Sequence, residues 1–263
     1  MSKTKQNCLL SAFCTILFYI LCSGIVSVIF LHSVGQGGEG GDASSYLAKG
    51  NAYLDHGELD LAISEFQEAV RLKPDDAKAH LGMGRAYLRK NQYDPAIEQF
   101  KEALRLKPDF AEAYGNLGNA YYCTGQYDEA INQYKKTVEL KPDYAKAYLD
   151  LGTAYGQKGQ YDQATEQIKR AVELKPDYAK AYLTLGWVYG SDGQYDLAIE
   201  QFEKALSLEP GNAMAYYNLA CAYSQKGQYD EAIKNAKRSL EIDPEDKEAR
   251  DLLTRLEKRK KLW

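Results

Sequence analysis

The sequence predicts an all-α fold, an α-solenoid of stacked helical hairpins. Two observations lead to this prediction: a repeat period that never changes, and apolar residues at helical spacing inside each period. Six prolines fall at a constant interval of 34 residues, namely Pro74, Pro108, Pro142, Pro176, Pro210 and Pro244. A fixed period of this length is typical of a single supersecondary unit stacked many times.

The period divides the chain into units and flanking segments. The six units are 43–76, 77–110, 111–144, 145–178, 179–212 and 213–246. Around them lie the segments 1–7, 8–34, 35–42 and 247–263. In the last of these, Ala249, Leu252 and Leu256 recur at helical spacing, which predicts a C-terminal helix that caps the array.

Residues 8–34 predict a transmembrane signal-anchor. These 27 residues contain no Asp, Glu, Lys or Arg. As a helix they would extend about 40 Å, more than the bilayer core of about 30 Å and longer than the apolar core of most signal peptides. Lys3 and Lys5 precede the stretch, so the positive-inside rule places residues 1–7 in the cytoplasm and the units outside.

A cleaved signal peptide is the alternative for the same segment. The small residues of Ser33-Val34-Gly35 suit a signal peptidase. In that case the protein would be secreted or periplasmic. If the segment is kept, the Gly-rich linker 35–42, about 25 Å long when extended, would hold the units near the membrane.

Each unit is predicted to begin with a helix that ends at a glycine or an asparagine. In the third unit, Tyr114, Leu117 and Tyr121 share one helical face, and Gly125 follows. The equivalent residues are Gly57, Asn91, Gly159, Gly193 and Gly227. Glycine and asparagine adopt the left-handed conformation that ends a helix at little cost.

A second helix is predicted to start at an aspartate three residues later. This residue recurs as Asp60, Asp94, Asp128, Asp162, Asp196 and Asp230. An aspartate side chain accepts hydrogen bonds from the free N–H groups at a helix start, so each is predicted to be an N-cap. Pro95 follows Asp94 and is therefore predicted at the first helical position.

Columns of small and aromatic residues predict how the helices pack. One small column is Gly50, Gly84, Gly118, Gly152, Gly186 and Ala220, and the other is Ala62, Ala96, Ala130, Ala164, Ala198 and Ala232. Sixteen of the 22 tyrosines fall in three further columns, so these rings are predicted to be core. His80 occupies an aromatic slot and is predicted to have the same packing role.

Composition argues against nucleic-acid binding and against catalysis. The formal net charge is −4, so no basic footprint for nucleic acid is present. The three histidines, His32, His56 and His80, cannot form a metal cluster, and no Gly-rich phosphate loop or Ser-His-Asp set occurs. We predict no cofactor, no metal, no catalytic residue and no enzymatic activity.

The repeat resembles a known family. Its pattern in the fifth unit is Tyr182, Leu185, Gly186, Tyr189, Ala198, Phe202 and Pro210. These residues are similar to the signature of the tetratricopeptide repeat, with Tyr in place of Trp. The resemblance covers residues 43–246 and departs at the ends, where Lys49 replaces Leu and Ala236 replaces a ring.

The resemblance implies a right-handed superhelix that binds a protein or peptide in its concave groove. The first helix of each hairpin would line this groove. The candidate partner-binding residues are Leu81, Arg85, Asn116, Asn119, Lys146, Leu149, Lys180, Leu183, Trp187, Tyr217 and Asn218. The lining columns vary between units, which indicates either binding specificity or tolerance at a solvated face.

Trp187 and two lysines stand out among these residues. A large ring on a groove suits a binding hot spot, while the alternative is that Trp187 packs on Leu183 or a neighbouring helix. Lys146 and Lys180 are equivalent residues that would face an acidic ligand.

The sequence as a whole predicts a membrane-anchored scaffold. The alternative is a secreted or periplasmic protein that acts as a self-assembling or chaperone-like assembly factor. A homo-oligomer is possible in either case.

Overall fold

A computed structural model describes residues 41–260, and this part of the chain contains thirteen α-helices and no strand. The helices are α1 (Ala43–His56), α2 (Leu59–Leu72), α3 (Ala77–Arg89), α4 (Tyr93–Leu106), α5 (Ala111–Cys123), α6 (Tyr127–Leu140), α7 (Ala145–Gln157), α8 (Tyr161–Leu174), α9 (Ala179–Ser191), α10 (Tyr195–Leu208), α11 (Ala213–Gln225), α12 (Tyr229–Ile242) and α13 (Lys247–Lys260). The predicted anchor 8–34 lies outside the described residues. Between residues 41 and 260, no helix has the length and apolar character needed to cross a bilayer.

The helices form six hairpins that stack in chain order. Each odd-numbered helix up to α11 packs on the even-numbered helix that follows it, and each even-numbered helix packs on the next odd-numbered one. Successive odd-numbered helices also contact each other, whereas no two even-numbered helices of the described chain do. The odd-numbered helices are therefore closer together and form the inner side of a curved solenoid. We call this inner surface the groove.

The predicted helix-ending residues are confirmed. Gly57, Gly125, Gly159, Gly193 and Gly227 have φ between 72° and 82°. Asn91 has φ of 58° and is the one non-glycine residue with positive φ within residues 41–260. Each hairpin turn thus uses a residue that tolerates the left-handed region.

The predicted aspartate N-caps are wrong. The even-numbered helices begin one residue earlier, at Leu59 in the first unit and at a tyrosine in the others, and their N-cap residues make no side-chain capping bond. The aspartate is instead the second helical residue, where its charge complements the helix dipole. Pro95 is likewise the third helical residue rather than the first, still within the turn that needs no N–H partner.

Four of these aspartates pair with a lysine of the next structural element, 30 residues later. The pairs are Asp60–Lys90, Asp128–Lys158, Asp196–Lys226 and Asp230–Lys260. At the two remaining junctions, the residues equivalent to these lysines are Thr124 and Asp192. These four aspartates therefore link their hairpin to the next element of the stack rather than cap their own helices.

The small-residue columns lie where the two helices of a hairpin meet. A Cβ atom added at Gly84, Gly118 or Gly186 would lie 2.5–2.6 Å from the ring of the facing second helix. In the sixth unit Ala236 replaces that ring, and Ala220 takes the glycine position in the same buried cluster. The alanine column, from Ala62 to Ala232, is fully buried. Both packing predictions are confirmed.

The aromatic columns are only partly core. Tyr155 and Tyr189 are buried, and the other fourteen tyrosines of the three columns are half-buried. His80 is buried, with Nδ1 2.8 Å from Gln99 Oε1 and Nε2 3.3 Å from the Pro74 carbonyl oxygen. His80 therefore has the packing role that its position predicts.

The C-terminal helix α13 covers the last hairpin. Leu252 and Leu256 of α13 are buried in one cluster with Ala220, Ala232 and Ala236. Without this helix, the apolar side of α12 would face solvent.

Candidate functional site

Two cavities on the groove contain most of the predicted partner-binding residues. The first, of about 510 Å³, lies between α7, α9, α11 and the start of α13. Its lining includes Lys180, Leu183, Trp187, Met214, Tyr217, Asn218, Asp243, Asp246 and Glu248, and we call it the apolar cavity. The second, of about 440 Å³, includes Arg85, Asn116, Asn119, Lys141, Lys146 and Asp150, and we call it the polar cavity.

Nine of the eleven predicted groove residues line one of these cavities. Five line the apolar cavity, namely Lys180, Leu183, Trp187, Tyr217 and Asn218. Four line the polar cavity, namely Arg85, Asn116, Asn119 and Lys146. The remaining two, Leu81 and Leu149, are only 5% and 1% exposed and support the groove from beneath. The structure thus brings the predicted residues together in two separate places.

Trp187 packs on a neighbouring helix and also lines the apolar cavity. A Cβ atom added at Gly156 of the preceding unit would lie 2.6 Å from Trp187 Cζ3, so the indole ring packs directly on that helix. The first three units carry Leu54, Leu88 and Tyr122 at the position of Gly156. These larger side chains would keep an indole ring of the next unit further from the helix. The same indole also forms part of the wall of the apolar cavity.

Met214 is a groove residue that the sequence reasoning missed. Its side chain is 62% exposed, the highest value among the exposed large hydrophobic residues of the described chain. The signal was a large apolar residue in a column otherwise filled by Ser44, Lys78, Glu112, Lys146, Lys180 and Glu248. The acidic wall of the cavity was also missed, because Asp243 and Asp246 precede α13 and lie outside the columns of the first helices.

Two cationic groups of the polar cavity, those of Lys146 and Arg85, are already paired with carboxylates. Lys146 Nζ lies 2.5 Å from Asp150 Oδ2, and the Arg85 guanidinium lies 3.6 Å from the Glu112 carboxylate. The Tyr134 hydroxyl donates a hydrogen bond of 2.7 Å to Asn119 Oδ1. An acidic ligand would therefore have to compete with Asp150 for Lys146.

Burial changes the pKa values of Asp150 and Lys146 in the polar cavity. Burial raises the pKa of the Asp150 carboxyl, and the ammonium groups of Lys146 and Lys180 only partly oppose the shift. Burial alone would lower the pKa of the Lys146 ammonium, but the charge and hydrogen bond of Asp150 outweigh it and raise that pKa. The pair is thus held together in a partly desolvated place.

In the apolar cavity, unlike Lys146 in the polar one, the lysine is not paired with a carboxylate of the described chain. Lys180 has Thr184 four residues later, where Lys146 has Asp150, and within residues 41–260 it makes no ion pair of 4 Å or less. Asp246 accepts hydrogen bonds from the backbone N–H groups of Glu248 and Ala249, at 2.9 and 3.1 Å, and so caps α13. Glu248 and Asp243 form no ion pair with another described residue.

Two further groups near this cavity stay protonated at neutral pH. Burial, followed by the neighbouring Cys221, raises the pKa of Tyr217 to about 12. Burial also raises the pKa of the Cys221 thiol. Because the thiolate is the reactive form of cysteine, Cys221 is a poor nucleophile here. Nor do residues 41–260 contain a cluster of His, Cys, Asp or Glu that could hold a metal ion.

A curved stack of helical hairpins with an open groove defines a helical-repeat scaffold, a class of proteins that bind other proteins. Models of the tetratricopeptide repeat match residues 47–109, 91–136 together with 191–256, 118–159 and 143–208. Together these matches run without a break from residue 47 to residue 256. The chain belongs to the tetratricopeptide repeat family.

Several solved structures are similar to this chain. A crystal structure of MamA is 36% identical with a TM-score of 0.57, and the match covers 64% of this chain and 92% of that chain. MamA from Desulfovibrio magneticus RS-1 is 27% identical with a TM-score of 0.61, over 66% of this chain and 99% of that chain.

YrrB, described as a repeat protein of this family with an unusual peptide-binding site, is also similar. It is 25% identical with a TM-score of 0.59, over 73% of this chain and 97% of that chain. No curated protein matches the chain.

Proposed function

We propose that this protein is a membrane-anchored scaffold that binds a segment of a partner protein in its groove and has no catalytic activity of its own. The observation that carries the proposal is the apolar cavity, in which Leu183, Trp187, Met214 and Tyr217 face a space of about 510 Å³. Met214 is exposed and the other three are half-buried, and apolar side chains gathered at a concave surface are typical of a binding site.

The membrane part of the proposal rests on residues 8–34. Their 27 uncharged residues would anchor the chain, and the linker 35–42 would keep the groove close to the bilayer, outside the cytoplasm. Protease accessibility in intact cells tests this part separately. Degradation of the repeat region by external protease, with residues 1–7 protected, is the expected result, whereas a repeat region that is released without the segment would indicate a cleaved signal peptide.

Site-specific crosslinking tests the groove. A photoreactive residue at Asn218, inside the apolar cavity, should capture a partner in native membranes, and the same residue at Glu200 of α10 should not. Adding Met214→Ser should weaken the capture about tenfold, as expected for an apolar hot-spot residue.

Leu197→Ser is the matched control for Met214→Ser. Leu197 is also an exposed apolar residue, 38% accessible, but it lies on α10 outside both cavities. Equal capture at Asn218 in the parent chain, in Met214→Ser and in Leu197→Ser would contradict binding in the groove. Capture at Glu200 as strong as at Asn218 would also contradict it.

A further inference from the structure

The charge along one edge of the groove reverses across the apolar cavity. Residues 180, 214 and 248 are equivalent positions, each the second residue of a successive first helix, α9, α11 and α13. They are Lys180, Met214 and Glu248, so the edge runs from cationic through apolar to anionic. All three line the apolar cavity.

The acidic end of the cavity has more than one carboxylate. Asp243 and Asp246 lie beside Glu248 in the cavity wall. Asp246 is engaged in capping α13, whereas Asp243 and Glu248 are exposed and form no ion pair among the described residues. These two carboxylates are therefore available to a basic group of a ligand.

The cationic end has one available group. The ammonium group of Lys180 is near enough to Asp150 to partly oppose the rise in the pKa of the Asp150 carboxyl that burial causes. Asp150 nevertheless forms its ion pair with Lys146 and not with Lys180. Thr184 stands where Lys180 would need an acidic residue for an equivalent pair. The ammonium group of Lys180 can thus meet an acidic group of a ligand at the rim of the cavity.

The spacing of these groups matches an extended peptide. Packed neighbouring helices lie about 8–10 Å apart, and an extended chain advances about 3.3 Å per residue, so one unit corresponds to about three residues. Side chains three residues apart in the ligand would therefore meet consecutive first helices.

We propose that the occupant of the apolar cavity is an extended segment of a partner protein with an acidic residue, a large apolar residue and a basic residue, each three positions apart. The apolar side chain enters the space between Leu183, Trp187, Met214 and Tyr217. The acidic residue faces Lys180, and the basic residue faces Asp243 and Glu248. This inference rests on the proposed function and adds the chemistry of the partner to it.

Four labelled peptides test the charge pattern on the full chain by fluorescence anisotropy. They are Glu-Ala-Ala-Phe-Ala-Ala-Arg, acetylated at the N-terminus and amidated at the C-terminus, the same peptide with Glu at both ends, the same with Arg at both ends, and the same with Ala in place of Phe. The mixed-charge peptide should bind about three- to tenfold more tightly than either like-charged peptide. The peptide without Phe should bind about tenfold more weakly, and added salt should reduce the charge preference.

A charge reversal in the protein gives a change of specificity rather than a simple loss. In the variant Asp243→Asn with Glu248→Lys, both ends of the cavity are cationic, so the peptide with two Glu residues should become the preferred one. Asp243 accepts a bond from the Glu245 N–H, and asparagine keeps that acceptor, so the α12–α13 turn is retained. Glu200→Lys, an exposed change on α10, is the control and should leave the peptide order unchanged.

Several results would overturn the inference. Equal binding of all four peptides, no binding by any of them, or an unchanged peptide order in the charge-reversal variant would each do so. The full chain could also self-associate, and the charge-reversal variant could abolish that association. A second copy of the chain would then be the occupant, and this result would also overturn the inference. Crosslinking at Asn218 reports on the proposed function independently, so a partner captured there while the peptides fail would leave the scaffold role standing.

Discussion

Gly152 shows how closely the two helices of a hairpin approach. A Cβ atom at this position would lie 2.5 Å from Ile168 Cγ1 and 2.9 Å from the Ala164 carbonyl oxygen. The isoleucine side chain can rotate to some extent, but the carbonyl oxygen belongs to the backbone of α8 and cannot move without shifting the helix. The position therefore demands glycine for reasons of space rather than of backbone conformation.

Gly152→Leu should destabilise the protein by about 1–3 kcal/mol, the usual cost of overpacking a well-packed interior. The measurement is the urea midpoint of the full chain, followed by circular dichroism. Gly211→Ala is the control, because a Cβ at Gly211 meets no atom within 4 Å and should change stability by less than about 0.5 kcal/mol. An unchanged midpoint for the leucine variant would contradict this account of the packing.

Lys146 shows what a single residue's environment adds to its sequence position. The sequence places Lys146 and Lys180 at equivalent positions, and both were expected to face an acidic ligand. In the structure only Lys146 is held by an intramolecular carboxylate, that of Asp150. The sequence does contain a sign of this ion pair, because Lys146 and Asp150 are four residues apart and such residues lie side by side on a helix. Treating the two lysines as equivalent hid this difference.

At the scale of helices, the ion pairs between neighbouring hairpins are unevenly distributed. Four aspartates of the second helices pair with a lysine 30 residues later, as Asp128 does with Lys158. In the fourth unit Asp162 instead has Asp192 at the equivalent place, so two carboxylates occupy the junction where other units have an ion pair. Asp192 also follows the end of α9, where the helix dipole disfavours a negative charge.

Asp192→Lys should therefore stabilise the protein, by about 0.2–1 kcal/mol, since it completes the missing pair with Asp162 on an exposed surface. The gain should appear as a small rise in the urea midpoint at low salt and should shrink as the salt concentration rises.

Asp192→Asn separates the two contributions to that gain. It removes the second carboxylate without adding a cation, so its effect should lie between the parent chain and the lysine variant. A lysine variant that is no more stable than the parent at low salt would show that the pairs between hairpins do not contribute to stability.

At the scale of the whole molecule, the described residues 41–260 form a one-dimensional stack in which each helix contacts only its near neighbours in the chain. In such an array, stability is approximately the sum of the units and of the interfaces between them, and the ends need protection from solvent. Helix α13 provides this protection at the C-terminal end through Leu252 and Leu256.

Removal of residues 247–263 should lower stability and promote self-association. Burial of Leu252 and Leu256 contributes about 1.5–3 kcal/mol each, partly offset by the cost of ordering α13. Sedimentation velocity at several concentrations and the urea midpoint are the measurements. The full-length double variant Leu252→Ala with Leu256→Ala should lose stability while α13 still covers part of the surface. A truncated chain that remains monomeric with an unchanged midpoint would contradict the capping role.

Much of the fold could be predicted because its rules are local. Helical spacing, turn residues and a fixed period depend on residues within one unit, so the hairpins, the left-handed turns at Gly57 to Gly227 and the close approach at the glycine column all follow from the sequence. The aspartate caps were wrong because capping and first-turn positions differ by one or two residues, a shift that the sequence pattern does not resolve.

The candidate site was predicted only in part. The groove residues were placed from the resemblance to the family and from the equivalence between units, and nine of the eleven line a cavity. That equivalence could not separate the buried Leu149 from the half-buried Leu183 in the same column. Met214 and the acidic wall were missed, because that wall comes from the turn before α13 rather than from a repeated position.

The sequence by itself determined the number of units, their hairpin form and the family, because these follow from the spacing of residues along the chain. Only the tertiary structure decided which lysine is paired, where Trp187 packs, and that an anionic wall closes one end of the apolar cavity. These properties depend on distances between residues of different units, and those distances exist only once the hairpins have stacked.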